Sequence, residues 1–276
     1  MLVRAVHIEL CPKTCTDTFL LAFRRFVAMR GYPKEVFSDG GPQLKSADKE
    51  LKLMLKDLDW SKIQEYGAEE GIKWHFTPGE SQWMNRCSEA LVKSAKKAIK
   101  QAIGVQVMSY SELSTVFAEC SNLLNERPIG RHPQHPDDGK YLSPNDLLLG
   151  RSSNLLPSGP FENMSSAQKS MQFVQNVVDS FWRKWTRDYF PSLIVQAKWH
   201  TDRRNLKIGD VVLMKDDKAI RGHWRMAKVS EVTPSSDGKV RRVIVSYKSQ
   251  PEGKSFINVD RSPNSLIVIV PKDGES

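Results

Sequence analysis

Ser88-Glu-Ala-Leu-Val-Lys-Ser-Ala-Lys-Lys-Ala-Ile-Lys100 is the stretch on which the reading of this chain turns. At about 100° per residue, Glu89, Lys93, Lys96 and Lys100 share one narrow stripe of a helix, with Leu91, Val92, Ala95 and Ile99 roughly opposite. The apolar side can bury against a core. The other side then presents one carboxylate at the helix N-terminus followed by lysines. Like charges at i,i+3 and i,i+4 repel by roughly 0.2–0.5 kcal/mol per pair, so helix stability does not favour this arrangement. A polyanion lying along the stripe would. A solvated basic face is the alternative reading.

A chain of 276 residues with 39% hydrophobic and 26% charged side chains has the make-up of a soluble globular protein and the length for two domains. No apolar run approaches membrane-spanning length, and Met1-Leu-Val-Arg-Ala-Val-His-Ile-Glu-Leu10 carries charge too early for a signal peptide. Cys11, Cys15, Cys87 and Cys120 are few, which predicts free thiols in a reducing compartment and no structural zinc. The net charge of +9 is unevenly spread. Residues 1–150 hold 20 Lys and Arg against 19 Asp and Glu, while residues 151–276 hold 21 against 13. Nucleic acid is the commonest partner for such an excess.

Outward from the Glu89 helix, strand and helix signals alternate, as in an α/β domain. Arg4 to Leu10 alternates like a strand. Phe19, Leu20, Phe23, Phe26 and Val27 predict a helix from Thr16, its cap, to Arg30, stopped by Gly31 and Pro33. Glu35 to Ser38 reads as a strand entering the turn Asp39-Gly-Gly-Pro, followed by an irregular helical stretch over Asp48 to Tyr66. Gly71 to Phe76 is a further strand, Thr77 to Arg86 a loop, and Ser111 to Asn125 a helix. From Arg127 to Pro160 the density of Pro, Gly, Asn and Ser predicts an extended connector. A long amphipathic helix follows over Ser166 to Tyr189, with Val174, Val178, Phe181 and Trp185 on its seam. Five short segments, starting at Ile208, Arg225, Val240, Ser255 and Ser265, suit a small β-barrel.

Two carboxylates stand where chemistry can be built. Asp39 follows a strand end in a glycine turn, and Glu89 opens a helix after a loop. Strand-end and loop carboxylates brought together are how oxygen-ligand Mg²⁺ sites arise, and a pair of such ions can drive phosphodiester displacement. The plainer reading makes Asp39 a turn residue and Glu89 a complement to the helix dipole.

Longer motifs add to this. Arg4-Ala-Val-His-Ile-Glu-Leu, Ser38-Asp-Gly-Gly-Pro-Gln, Trp74-His-Phe-Thr-Pro-Gly and Trp83-Met-Asn-Arg-Cys-Ser-Glu-Ala-Leu-Val-Lys-Ser occur in that order. Asn125-Glu-Arg-Pro-Ile-Gly, Leu142-Ser-Pro-Asn-Asp-Leu-Leu-Leu-Gly-Arg, Phe181-Trp-Arg-Lys-Trp-Thr-Arg, Lys198-Trp-His and Asn205-Leu-Lys-Ile-Gly-Asp-Val-Val-Leu continue the series. Together they resemble the integrase of an LTR retrotransposon of the BEL/Pao type, over most of the chain. The resemblance implies an α/β plus small all-β architecture. Residues 1–150 would form part of a ribonuclease-H-like catalytic core, 151–200 a connector with the long helix, and 201–276 an SH3-like DNA-binding barrel.

It also implies DNA integration in the nucleus, reached through the cytoplasm, by a multimer acting on element ends and target DNA with Mg²⁺ or Mn²⁺. Asp39 matches the second Asp and Glu89 the Glu of the family's metal-holding triad. Lys93 and Lys96 match basic positions that contact the element's DNA end in related retroviral enzymes. The family's first Asp has no counterpart here, since neither Glu9 nor Asp17 aligns with it. This chain alone is therefore expected to be inactive in strand transfer. Arg86 stands where the family's loop commonly has Gly, and either stiffens that loop or adds a phosphate contact. The alternative is a non-catalytic DNA- or chromatin-binding module derived from an integrase. Lys100 extends the stripe, and Lys215, Arg221, Arg225, Lys228, Arg241 and Arg242 are the second basic group expected to bind phosphate. His132 and His135 read as loop residues, and Trp182, Trp185 and Trp199 as packing residues.

Overall fold

The structure, a computed structural model, describes residues 3–13, 15–38, 45–49, 73–76, 86–131, 141–151, 166–193, 204–215, 221–248 and 255–272. The chain divides into two compact units, residues 7–92 and residues 1–6 with 93–276.

In the first unit, α1 (Thr16–Arg30) runs as its apolar spacing predicts and ends at Gly31, whose φ of 85° belongs to the region that favours glycine. Its N-cap is Cys15 rather than Thr16, and no side chain caps it; Thr18 instead turns its hydroxyl back to the Lys13 carbonyl at 3.0 Å. Strands β1 (Glu35–Ser38) and β2 (Lys73–Phe76) pair in parallel, Glu35 against Lys73 through Ser38 against Phe76. A parallel pair needs a crossover connection, which is the α/β pattern. Phe19 and Phe23 of α1 lie 6.0 and 6.1 Å from the Trp74 ring, and the Trp74 indole donates to Ser38 Oγ at 2.7 Å. Of the helix expected over Asp48 to Tyr66, backbone over 45–49 is helical and residues beyond 49 lie outside the described residues.

The expected strand over Arg4 to Leu10 is absent from the described residues. With no neighbouring strand to supply a ladder, the backbone of Val6 is satisfied by side chains of a helix. That helix is α3 (Tyr110–Asn125), which opens on a capping box between Ser109 and Glu112. It follows α2 (Arg86–Ile103), which starts at Arg86, ahead of the expected Glu89. Residues of α2 through Val92 fall in the first unit and those from Lys93 in the second.

The expected extended connector is partly structured. Strands β3 (Gly130–Arg131) and β4 (Tyr141–Leu142) pair antiparallel, and α4 (Pro144–Leu149) starts at a second capping box, Ser143 with Asp146, with Pro at its first turn. The long helix α5 (Ser166–Leu193) buries Val174, Val178, Phe181 and Trp185 along one seam and continues past Tyr189 through Pro191.

Strands β5 (Val211–Met214), β6 (Arg225–Pro234), β7 (Val240–Lys248), β8 (Phe256–Arg261) and β9 (Leu266–Val270) form one antiparallel sheet in the order β8-β7-β6-β5-β9. A 3-10 turn, Pro263–Ser265, sends the chain back across the sheet to β5. The sheet is open where a closed barrel was expected, because this return leaves β8 as the far edge and β8 does not pair with β9 among the described residues. Val212, Met214, Ala227, Val229, Val243, Val245, Leu206 and Leu266 make its core.

The sheet is fastened at its entrance by Asp210. That carboxylate is fully buried and takes both guanidinium arms of Arg204, at 2.8 and 3.1 Å, with the backbone N–H groups of Lys207 at 2.9 Å and Lys272 at 3.0 Å. Gly209 just before it has φ of 95°, a conformation that strains any other residue, and a Cβ there would also press on the Lys272 side chain at 3.0 Å.

Candidate nucleic-acid interface

Helix α2 buries Ala95, Ala98 and Ala102, a row of small residues on the face opposite Lys93, Lys96 and Lys100, which are exposed. The seam is narrower than sequence spacing predicts: Val92 is exposed, and Leu91 and Ile99 are half-buried. Lys97 is separated from the stripe by its partner, since its Nζ sits 2.8 Å from Asp188 Oδ2 of α5. Lys184 of α5 donates to the Gln101 carbonyl at 2.6 Å. No described carboxylate pairs with Lys93, Lys96 or Lys100. The three cations therefore face solvent as a row, which is the arrangement that releases counterions when a phosphate backbone binds.

Asp39 lies outside the described residues, as do the side chains of Arg86 and Glu89. The described backbone reaches the residue before Asp39 and includes position 89. Ser38, the residue before Asp39, is the last of β1, and Glu89 is in the first turn of α2, where the helix dipole favours a negative charge. Among the described residues no group of three or more His, Cys, Asp or Glu is placed to hold a metal ion. His132, His135 and Trp199 also lie outside the described residues.

The members of the second basic group have different surroundings. Arg221 is largely buried and engages Asp179 of α5 at 3.1 Å and Glu119 of α3 at 3.7 Å, so it joins the sheet to two helices. Burial raises the Glu119 carboxyl above its ordinary range against the pull of Arg221. Arg225 lies 4.9 Å over the Tyr247 ring, and Lys215 and Lys228 are exposed. Arg241 pairs with Asp237 at 2.6 Å, and Arg242 with Asp260. Lys228 stands across from Ser246 and Arg242 across from Thr233, which sets Lys228 and Arg242 roughly 13 Å apart along β7.

Next to Arg221, the chain inserts Trp224 into an aromatic cluster on α5. Trp182, Trp185 and Tyr189 meet its ring edge-on, at 5.3, 5.9 and 6.1 Å. Trp182 and Trp185 are buried, as packing residues are. The Tyr141 hydroxyl donates to the Gly222 carbonyl at 3.2 Å, and burial raises that phenol.

Sequence reasoning missed the polar centre of this unit. Asn125, Glu126, Arg127, Ser143 and Asn145 are all buried. Asn145 donates to Glu126 Oε1 at 2.6 Å and to Asn122 Oδ1 at 2.9 Å, while Arg127 donates to the Leu124 carbonyl at 2.6 Å and to the Arg4 carbonyl. Burial lowers the Arg127 guanidinium from its usual value. The available signal was two polar runs, Asn125-Glu-Arg and Ser143-Pro-Asn-Asp, one at the end of α3 and one at the start of α4.

A family model described as a family of unknown function (DUF5641) matches residues 169–258, which take in most of α5 and the sheet into β8. No curated protein matches the chain. Among the described residues no helix is long and apolar enough to cross a membrane.

Proposed function

We propose that this chain is a DNA-binding segment of a retrotransposon integrase, with part of a ribonuclease-H-like core ahead of an SH3-like sheet. The observation that carries the reading is the exposed row Lys93, Lys96 and Lys100, backed by a buried alanine seam and kept apart from Lys97. Two further features support it. The parallel β1–β2 pair delivers the chain to Asp39 directly from a strand end. A four-strand meander whose fifth strand returns beside the first, after a 3-10 turn, is the order an SH3-like fold requires.

Asp39 and Glu89 are hard oxygen donors of the kind Mg²⁺ or Mn²⁺ takes. They would hold the ion, whose chemistry is to activate an attacking oxygen and stabilise the leaving one. The chain matches two of the family's three carboxylates, so in this reading it binds DNA and does not join it. A nuclear site of action and a multimeric parent belong to the same proposal.

A second reading is a non-catalytic DNA- or chromatin-binding module derived from an integrase, in which the basic side chains act without Asp39 and Glu89. Strand transfer by the purified chain with Mg²⁺ separates the intact enzyme from both readings, and robust joining would overturn them.

The test of the interface is duplex binding against salt concentration. Each phosphate contact contributes about 0.9 to the slope of log K on log salt. Replacing Lys93, Lys96 and Lys100 with Gln is expected to weaken binding on all sequences alike and to reduce the slope by roughly 2 to 3. Lys97→Gln serves as the control. An unchanged slope in the triple variant would remove the stripe from the interface.

A further inference from the structure

We propose that the outer edge of β8 is a self-pairing surface, onto which a second copy of this chain adds its own β8 antiparallel, joining two five-stranded sheets into one. The proposal deepens the multimeric part of the integrase reading by naming the surface that joins two copies; it is argued from the β8 edge and not from DNA binding, so either can fail without the other.

β8 is an edge strand, and its outer side faces no other strand among the described residues. Its pairing with β7 runs without a break, from Lys248 against Phe256 to Val243 against Arg261. The other edge differs. β9 pairs with β5 through a register shift at Val211 and Val212, and β3 packs beside it. Proteins blunt exposed edges with proline, lysine or a bulge, because a straight row of ladder donors and acceptors templates another strand. Phe256-Ile-Asn-Val-Asp-Arg261 has no proline, lysine or bulge, and its two charges, Asp260 and Arg261, lie together at one end. It exposes apolar side chains instead, Phe256 at 59% and Ile257 at 39%.

The sequence of the edge ranks the registers, and an axis at Asn258 makes more apolar pairs than one at Ile257, which opposes Phe256 to Asn258 and Ser255 to Val259. A two-fold axis through Asn258 sets Ile257 of one copy against Val259 of the other, twice, with Asn258 facing itself. Phe256 then meets Asp260 of the second copy. Lys248 lies over the Phe256 ring, with its Nζ 5.7 Å from the centroid, so a cation stands beside the incoming carboxylate. Shifting the axis to Asp260 would oppose two carboxylates, each held by its own Arg242, and would leave Ile257 and Phe256 outside the paired stretch. Shifting it to Val259 would set Ile257 against Arg261 and Asn258 against Asp260. Opposed apolar and opposite-charge pairs stabilise antiparallel strands and like charges destabilise them, so the Asn258 axis is preferred.

The experiment uses the whole chain. Light scattering behind gel filtration, over the micromolar range, is expected to give a mass that rises to twice the monomer's with concentration. Ile257→Lys is expected to hold the mass at the monomer's while the β signal in circular dichroism is kept, and Val268→Lys on the other edge to leave the dimer intact. Asn258→Cys is read separately: mild oxidation is expected to link position 258 of one copy to position 258 of another, identified by peptide mapping. That readout still decides if Ile257→Lys fails to fold. A monomer at every concentration, or a dimer that ignores Ile257→Lys and forms no link at 258, overturns the proposal.

Discussion

Asn125 treats the backbone of Val6 as a neighbouring strand would. Its amide oxygen accepts the Val6 N–H at 2.7 Å, and its amide nitrogen donates to the Val6 carbonyl at 2.8 Å. The Ser121 hydroxyl adds a second donor to that carbonyl at 2.9 Å. A segment patterned like a strand is thus held to a helix by a side chain that copies the ladder's donor and acceptor pair.

Asn125→Ala removes both bonds and leaves the Val6 N–H, which lies beside a buried residue, without its acceptor. A made bond contributes about 1 kcal/mol net and an orphaned buried group costs more, so a loss of about 2–3 kcal/mol is expected. The urea midpoint and hydrogen exchange at the Val6 amide measure it. Unchanged protection at Val6 would show that the pairing contributes nothing.

The Asp210 carboxyl is expected to make stability depend on acid. Burial alone would raise its pKa. The Arg204 guanidinium and the Lys207 and Lys272 N–H groups outweigh burial and hold it below the usual carboxylate range. Its contribution is therefore fully present above the unfolded value of about 3.9 and is lost as pH falls through the lower folded value. Asp210→Asn leaves Arg204 facing a neutral group and is expected to cost about 3 kcal/mol at neutral pH, with a flatter acid limb. Unfolding curves at neutral and acid pH check both parts.

Arg221 is predicted to matter for stability more than for DNA. Arg221→Gln strips Glu119 and Asp179 of their cation, and a loss of about 2 kcal/mol is expected, below the roughly 3–5 of fully buried pairs because Asp179 is half-exposed. Glu119 should then titrate higher still. A carboxyl raised on folding lowers stability as pH climbs from its unfolded to its folded value, so the variant should lose stability over a wider pH span. In the same duplex titration, its DNA affinity should stay near wild type while Lys96→Gln falls. The reverse ranking would make Arg221 a phosphate ligand.

Trp224→Ala empties the centre of the cluster formed with Trp182, Trp185 and Tyr189. The expected cost is about 3–5 kcal/mol, with loss of near-ultraviolet circular dichroism. Retained aromatic dichroism would mean the sheet holds to α5 by other means.

Much of the local structure was legible because its causes are local. The apolar period of Thr16 to Arg30, the alternation in β6 and β7, and the seam of α5 lie within a few residues of one another and state the element directly. Where local signals conflicted, the reading failed. Arg4 to Leu10 alternates like a strand, yet pairing depends on a neighbour that a segment's own residues cannot report. Ser143-Pro-Asn-Asp146 carries a capping box, but the glycines and prolines around it hid a short helix.

For the candidate site, sequence by itself determined that Glu89, Lys93, Lys96 and Lys100 share one helical stripe and that Asp39 follows a strand, since 3.6-residue periodicity and strand alternation need no distant partner. Which cations face solvent depends on contacts between remote elements. Lys97 differs from Lys96 by one position and goes to Asp188, and Arg221 reaches Asp179 across 42 residues of chain. Val6 and Asn125 meet across 119. Such pairings depend on how packed helices and sheet bring remote groups within a few ångströms, where a charge is either neutralised by a neighbour or left to the solvent.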